Sequence, residues 1–225
     1  VVLVIEYSTA RSDVRRWPLD DEAKRALEHF FDSVDAGSDT LPILAGDGLD
    51  FTGADLSGLD LAAAALNSAL LSDTTLHGTC LVNAWILDAK LERADLSGAN
   101  LRRARLRRCD CRGATLVGAQ LNKTDISDGD FREVDLHSTA LDQAFMPGID
   151  LRGADLRSSS WGLAPSNAII DEAKLVGANL SGMTGDVTDA VDVGLHEPEI
   201  LRGARLQQWF DNHGAPHVRV STHHE

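Results

Sequence analysis

Through the middle of this chain an apolar residue recurs at every fifth position, without a gap, from residue 54 to residue 158. Twenty-one consecutive pentapeptides fill the stretch, among them ADLSG at 54–58 and again at 94–98, ANLRR at 99–103 and ADLRS at 154–158. The middle residue of each copy, its centre, is Leu in sixteen copies, Ile86 and Ile126 in two, and Cys111, Phe131 and Met146 in the rest. Two positions before the centre, eighteen of the twenty-one copies carry Ala, Thr, Cys or Gly; Leu59, Val134 and Ile149 are the exceptions. A repeat this regular decides the architecture before any other feature is weighed.

A period of five suits neither ordinary element. On an α-helix five residues advance about 500°, so successive centres sit roughly 140° apart and no stripe forms. On a straight strand the side-chain period is two, and an odd repeat sends alternate centres to opposite faces. The pattern becomes coherent when each pentapeptide is a short extended piece followed by a bend at its last two positions. Ser57-Gly58, Ser97-Gly98 and Arg112-Gly113 have the turn chemistry such a bend needs. Bends in one sense close the chain into a coil, with centres and small residues inside and the residues between them outside. Coils then stack at the strand spacing, about 4.8 Å. A narrow interior needs large and small side chains in alternation, and Phe131, the largest centre, is paired with Gly129. Local widening is expected at Leu59, Val134 and Ile149.

The A(D/N)LXX motif, as in Ala54-Asp55-Leu56, Ala94-Asp95-Leu96 and Ala154-Asp155-Leu156, resembles the pentapeptide-repeat family. The resemblance covers about half the chain. It implies an all-β solenoid, a right-handed, four-sided (quadrilateral) β-helix with twenty residues per coil. That makes a little over five coils, a stack roughly 25 Å tall.

The flanks read as an α/β N-terminal cap over residues 1–48 and a C-terminal segment over 183–225, on either side of a repeat domain at 49–182. In the cap, residues 1–7 are β-branched and apolar and predict a strand. Residues 19–34 predict a helix, with acids in the first turn and a stripe of Ala26, Leu27, Phe30, Phe31 and Val34. The register slips after Trp161, giving an interruption near 164–172 before clean copies return at 173–177 and 178–182. A helix is expected at 198–212, with Pro198 in its first turn and Gly214 beyond its end, followed by a disordered tail. Residues 201–206, LRGARL, also fit the repeat, so a further coil is the alternative there.

Net charge is −14, unevenly spread: −6 over residues 1–50, −3 over 51–160 and −5 over 161–225. No apolar run reaches the length of a membrane span, and the opening residues lack the basic flank of a signal peptide, so the expected location is cytoplasmic. Three Cys do not make a disulfide framework; Cys109 and Cys111 fall at inward positions, as small apolar fillers. No catalytic constellation, phosphate-binding loop, cofactor site or convincing metal site stands out, which argues against an enzyme.

Stacking at twenty residues places Asp110, Asp130 and Asp150 in one outward column and Arg112, Arg132 and Arg152 in a second, a ladder of alternating charge. Trp85 and Phe145, flanked by Leu87 and Pro147, point outward on one face three coils apart. These nine residues other than Pro147 form the candidate partner surface. Residues 101–112 carry six Arg against one acid, but no aromatic residue interleaves them, so direct nucleic-acid binding is not expected. Leu201, Trp209 and Phe210 form a candidate dimer seam.

Pentapeptide-repeat proteins are in general non-enzymatic. Members of Qnr and MfpA type bind DNA gyrase or topoisomerase IV and protect it from poisons, as dimers joined through C-terminal segments. The resemblance therefore implies topoisomerase protection by a homodimer, in antibiotic resistance or self-immunity. The implied mechanism is DNA mimicry, a rod of DNA-like width competing for the DNA-binding surface, and the net charge of only −3 over residues 51–160 argues in part against it. The alternative is a structural or adaptor protein that presents a face to an unrelated protein.

Overall fold

The computed structural model describes residues 7–37, 42–163, 167–187 and 190–221. Single parallel bridges join each coil to the next at every fifth residue, always twenty positions on: Asp50 to Leu70, Asp55 to Thr75, Asp60 to Cys80, Ala65 to Trp85. Four such contacts per twenty residues make a four-sided coil. The ladder starts at Ala45–Ala65 and keeps its step as far as Ala140–Ser160. Leu76, Leu96, Leu116 and Leu136 therefore lie in one row, each at most 1% exposed.

Nearly every backbone N–H of a repeat has an assigned partner. In the copy centred on Leu96, Asp95 donates down to Thr74, Leu96 and Gly98 donate up to Thr115 and Val117, and Ala99 closes the corner onto Leu96. The remaining N–H, on Ser97, is accepted by the Asp95 carboxylate at 2.9 Å. The same bond recurs at Asp55, Asn100, Asp110, Asp135 and Asp155, among others. That explains the Asp or Asn before the centre: it accepts from an N–H the ladder leaves over, as an Asx-turn does. The corner residue two after each centre takes positive φ whether or not it is Gly, as at Arg93 (57°), Arg103 (60°) and Gly98 (66°).

Inside, the predicted alternation of bulk is visible in individual contacts. A Cβ on Gly129 would lie 2.6 Å from the Phe131 ring, so that position has room for hydrogen only. Where the small residue is Ala, Ser or Thr the corner hydrogen bond lies between about 2.9 and 3.2 Å, as at Ala54, Ala69 and Thr139. It stretches to 3.4 Å at Leu59 and Val134 and 3.3 Å at Ile149. This is the widening expected there, and Cys109 shares it at 3.4 Å. Buried Thr74, Thr79 and Thr124 hydroxyls donate to carbonyls of the coil below, which removes the penalty of placing them inside.

The N-terminal flank pairs with the first coil. The predicted strand at 1–7 lies outside the described residues except for Tyr7. Ser8 and Arg16 bridge to Leu59 and Asp55, and their carbonyls accept from Asp60 and Asp55, so they occupy the exposed edge of the first coil. Helix α1 (Asp21–Asp35) begins at Asp20, whose side chain accepts from the Ala23 N–H. It buries Ala23, Leu27, Phe30 and Phe31 in the same core cluster as Phe51 and Leu56.

Toward the C-terminus the step lengthens to twenty-four residues: Phe145 pairs with Ile169, Asp150 with Lys174, Asp155 with Asn179 and Ser160 with Thr184. Four extra residues thus enter after Trp161, within the predicted interruption; residues 164–166 lie outside the described set. Beyond it run β1 (Ala173–Lys174), β2 (Thr184–Val187), β3 (Val191–Asp192), β4 (Ile200–Leu201), α2 (Gly203–Asn212) and β5 (His217–Val220). Strand β3 is parallel to β1 and antiparallel to β4, and β2 is parallel to β5. The expected helix at 198–212 is shorter, because Ile200 and Leu201 pair with β3 before it starts. For the same reason residues 201–206 do not make a further coil. The disordered tail predicted after the helix is instead strand β5 as far as Val220, and residues 222–225 lie outside the described set.

Candidate partner-binding faces

Each face combines the residue before and the residue after the centre, repeated up the stack. On the side whose centres are Leu91, Cys111, Phe131 and Leu151, the predicted columns stand next to each other. Arg112 binds Asp110 at 2.8 Å and Glu92 at 2.5 Å, Arg132 binds Asp130 at 2.6 Å, and Arg152 binds Asp150 at 2.6 Å. Longer pairs, Arg112–Asp130 at 3.7 Å and Arg132–Asp150 at 4.0 Å, link one coil to the next. Lys90 reaches Asp110 from below, and at the adjoining corner Arg93 grips Asp73 through two hydrogen bonds.

These contacts tune the carboxylates. Hydrogen bonds from Arg112 and Arg132 hold Asp110 and Asp130 below the ordinary carboxylate value. At Asp150 burial pushes upward, but the Arg152 hydrogen bonds and charge outweigh it, and the group stays low. The same aspartates accept from the N–H of their arginine. The groove between Glu92, Arg93, Arg112, Arg132 and Glu133, about 340 Å³, is walled by these ion pairs.

The side with centres Ile86, Leu106, Ile126 and Met146 is different. Its bridges run Ala65, Trp85, Arg105, Asp125, Phe145, Ile169, so Trp85 and Phe145 share one column. They are 44% and 43% exposed, with Leu87 and Pro147 half-buried in the neighbouring column. Of the seven residues in this column, including Ala45, only Asp125 is the turn-forming Asp or Asn.

The stack also joins two features that lie apart along the chain. The Arg105 guanidinium lies 3.9 Å from the centroid of the Trp85 ring, so the arginine-rich coil does have an aromatic partner, one coil below. That signal lies twenty residues away, outside any window read along 101–112. Arg108 is held by both oxygens of Asp88, and Arg107 approaches Asp125 at 3.8 Å. Arg102, Arg103 and Lys123 are exposed, and among the described residues no carboxylate lies within ion-pair distance of any of them.

The thiols are internal. Burial pushes Cys109 up to about 12 and Cys111 well above its ordinary value, so neither is a nucleophile at neutral pH. Among the described residues no group of three His, Cys, Asp or Glu is placed to hold a metal, and no helix is long and apolar enough to cross a membrane. The proposed dimer seam is largely unavailable as a surface. Phe210 is fully buried and Leu201 nearly so, packed within their own chain. Trp209 remains half-buried, stacked on His213 at 4.3 Å.

A profile of pentapeptide repeats matches residues 50–84, 88–122 and 130–160, in eight copies. No curated protein matches the chain. Among solved structures, a pentapeptide repeat protein (Rfr23) from the cyanobacterium Cyanothece 51142 is 22% identical, TM-score 0.39, over 44% of this chain and 85% of that one. HetL from Nostoc sp. strain PCC 7120, involved in heterocyst differentiation regulation, is 21% identical, TM-score 0.35, over 75% and 97%. QnrB1, a plasmid-mediated fluoroquinolone resistance protein, is 19% identical, TM-score 0.39, over 64% and 92%.

Proposed function

We propose that this chain, which belongs to the pentapeptide-repeat family, is a non-catalytic rod that binds a protein partner through its sides. The observation that carries this reading is the contrast between sides. The coil backbone is hydrogen-bonded from one end to the other, and exposed aromatic and cationic side chains gather on the side of Trp85 and Arg105.

The specific reading is protection of DNA gyrase or topoisomerase IV from an antibiotic poison. It is supported by the repeat motif, by the net charge of −14 and by the rod shape that stacked coils imply. With the Asp110 to Arg152 ladder neutralised internally, such a rod engages the enzyme by shape and particular contacts rather than by a uniformly negative flank. The test is a gyrase supercoiling assay with a quinolone, with and without micromolar protein. Protected supercoiling supports the reading; neither protection nor binding removes it.

The open cations beside Trp85 favour a second reading, an adaptor that holds an unrelated protein. In either case a homodimer through the C-terminal segment has to use Trp209 with exposed Leu195 and Ile200, since Leu201 and Phe210 face inward. Trp209→Asp then yields monomer by light scattering; an unchanged dimer rules that seam out.

A further inference from the structure

We propose that the edge formed by Trp85, Leu87, Arg102, Arg103, Arg105 and Lys123 is a docking site for an acidic protein segment that also carries large apolar side chains. The inference rests on the protein-binding reading above and is independent of the topoisomerase target.

Three observations lead there. First, Arg102, Arg103 and Lys123 lie on one edge of successive coils, exposed and without a carboxylate partner among the described residues, while the ladder arginines are all paired. Like charges held one coil apart, about 4.8 Å, repel one another, and an external anion relieves that repulsion. Second, this side carries a turn-forming Asp or Asn at Asp125 alone among its seven column positions, and large or cationic side chains stand at Trp85, Arg105 and Phe145. At Trp85 and Arg105 the turn Asp or Asn is replaced, as it also is at Lys90, Thr115, Gln120 and Ala140, and the Leu87 N–H is accepted instead by Asn67 Oδ1 of the coil below. Third, the cations border apolar surface, with Trp85 44% exposed and Leu87 half-buried beside it. Exposed Trp and Arg together make the composition of an interface centre.

The chemistry chooses between anionic partners. A nucleic-acid strand uses an aromatic ring by stacking a base on it, but the Arg105 guanidinium already stands over the Trp85 ring. Nor does a phosphate backbone offer alkyl groups to cover Leu87. A peptide with Glu or Asp beside Phe or Leu satisfies both halves: carboxylates meet the Arg forks and the apolar side chain covers the Trp85–Leu87 step.

The experiment measures fluorescence anisotropy of a labelled twelve-residue peptide of Glu, Asp, Phe and Leu against the full chain. Its Gln/Asn counterpart and a fifteen-nucleotide oligo(dT) are run in parallel. Expected are saturable binding of the acidic peptide, at least tenfold weaker binding of the neutral one, and a tenfold or greater loss in the R102Q/R103Q/K123Q variant. The ladder variant Arg152→Gln is expected to bind as the unaltered chain does. Trp85→Asp, which restores the turn carboxylate, is expected to melt normally and lose binding; it serves if the triple variant fails to fold. No saturation at millimolar peptide, equal binding by all variants, or tighter binding of the oligonucleotide overturns the proposal. Protection of gyrase that survives R102Q/R103Q/K123Q leaves the topoisomerase reading standing when this site fails.

Discussion

The ladder side and the Trp85 side are built on the same coils, yet their charges behave in opposite ways. From Asp110 to Arg152 each arginine meets a carboxylate on its own coil, and that carboxylate also holds a backbone N–H. Arg102, Arg103 and Lys123 have no such partner among the described residues. A charged residue on a solenoid is therefore not evidence of a binding face until its neighbours one coil above and below are known. The predicted ladder columns pair with each other, whereas the Arg103 edge carries cations that such pairing does not reach.

The comparison presupposes one shared interior, and removing it should have the largest effect. Leu96→Arg places an unpaired charge at a site 1% exposed, and a loss of about 4 kcal/mol or more is expected in urea denaturation. Gly129→Ala is expected to cost about 1–3 kcal/mol through its clash with Phe131, with much of that recovered by adding Phe131→Leu.

On the ladder alone, Asp130→Asn should cost about 0.5–1 kcal/mol at neutral pH, since the pair is solvent-screened and Asn still accepts the Arg132 N–H. The lowered values of Asp110, Asp130 and Asp150 fix the sign of the pH effect. Their contribution is fully present above the unfolded carboxylate value, about 3.9, and disappears as pH falls through the lower folded values. Asn at all three positions should therefore flatten the fall in urea midpoint between pH 4 and pH 2. Equal slopes would mean that the pairs do not matter.

A smaller effect separates the two regions. Arg103 and Arg93 both hold positive φ, at 60° and 57°. Arg103→Gly relieves that strain and should stabilise by about 0.5–1 kcal/mol. The same change at Arg93 also removes its paired hydrogen bonds to Asp73, so its melting temperature should rise less or fall.

Much of this was legible in the sequence, because a solenoid makes distance along the chain equal to position in space. The row from Leu76 to Leu136, the match of Gly129 to Phe131 and the Asp and Arg columns all follow from a step of twenty. The ends were less legible. Ile200 and Leu201 join a strand whose partner, Val191–Asp192, carries no repeat signature; the helix therefore starts later than Pro198 suggests. The Asp or Asn before each centre read as a polar coat, since its bond to the N–H two residues on is visible only once the backbone bends. Trp85 and the arginine-rich coil read as separate features because they meet across coils.

The central claim is that ladder charges serve the fold while the Arg103 edge does not. Double-mutant cycles in urea test it directly, with Asp130→Asn and Arg132→Gln on one side and Arg103→Gln and Lys123→Gln on the other. The account predicts a favourable coupling for Asp130 with Arg132, and for Arg103 with Lys123 single substitutions that leave stability unchanged or raise it. Losses at Arg103 and Lys123 as large as those on the ladder would show that these cations are already used by the fold.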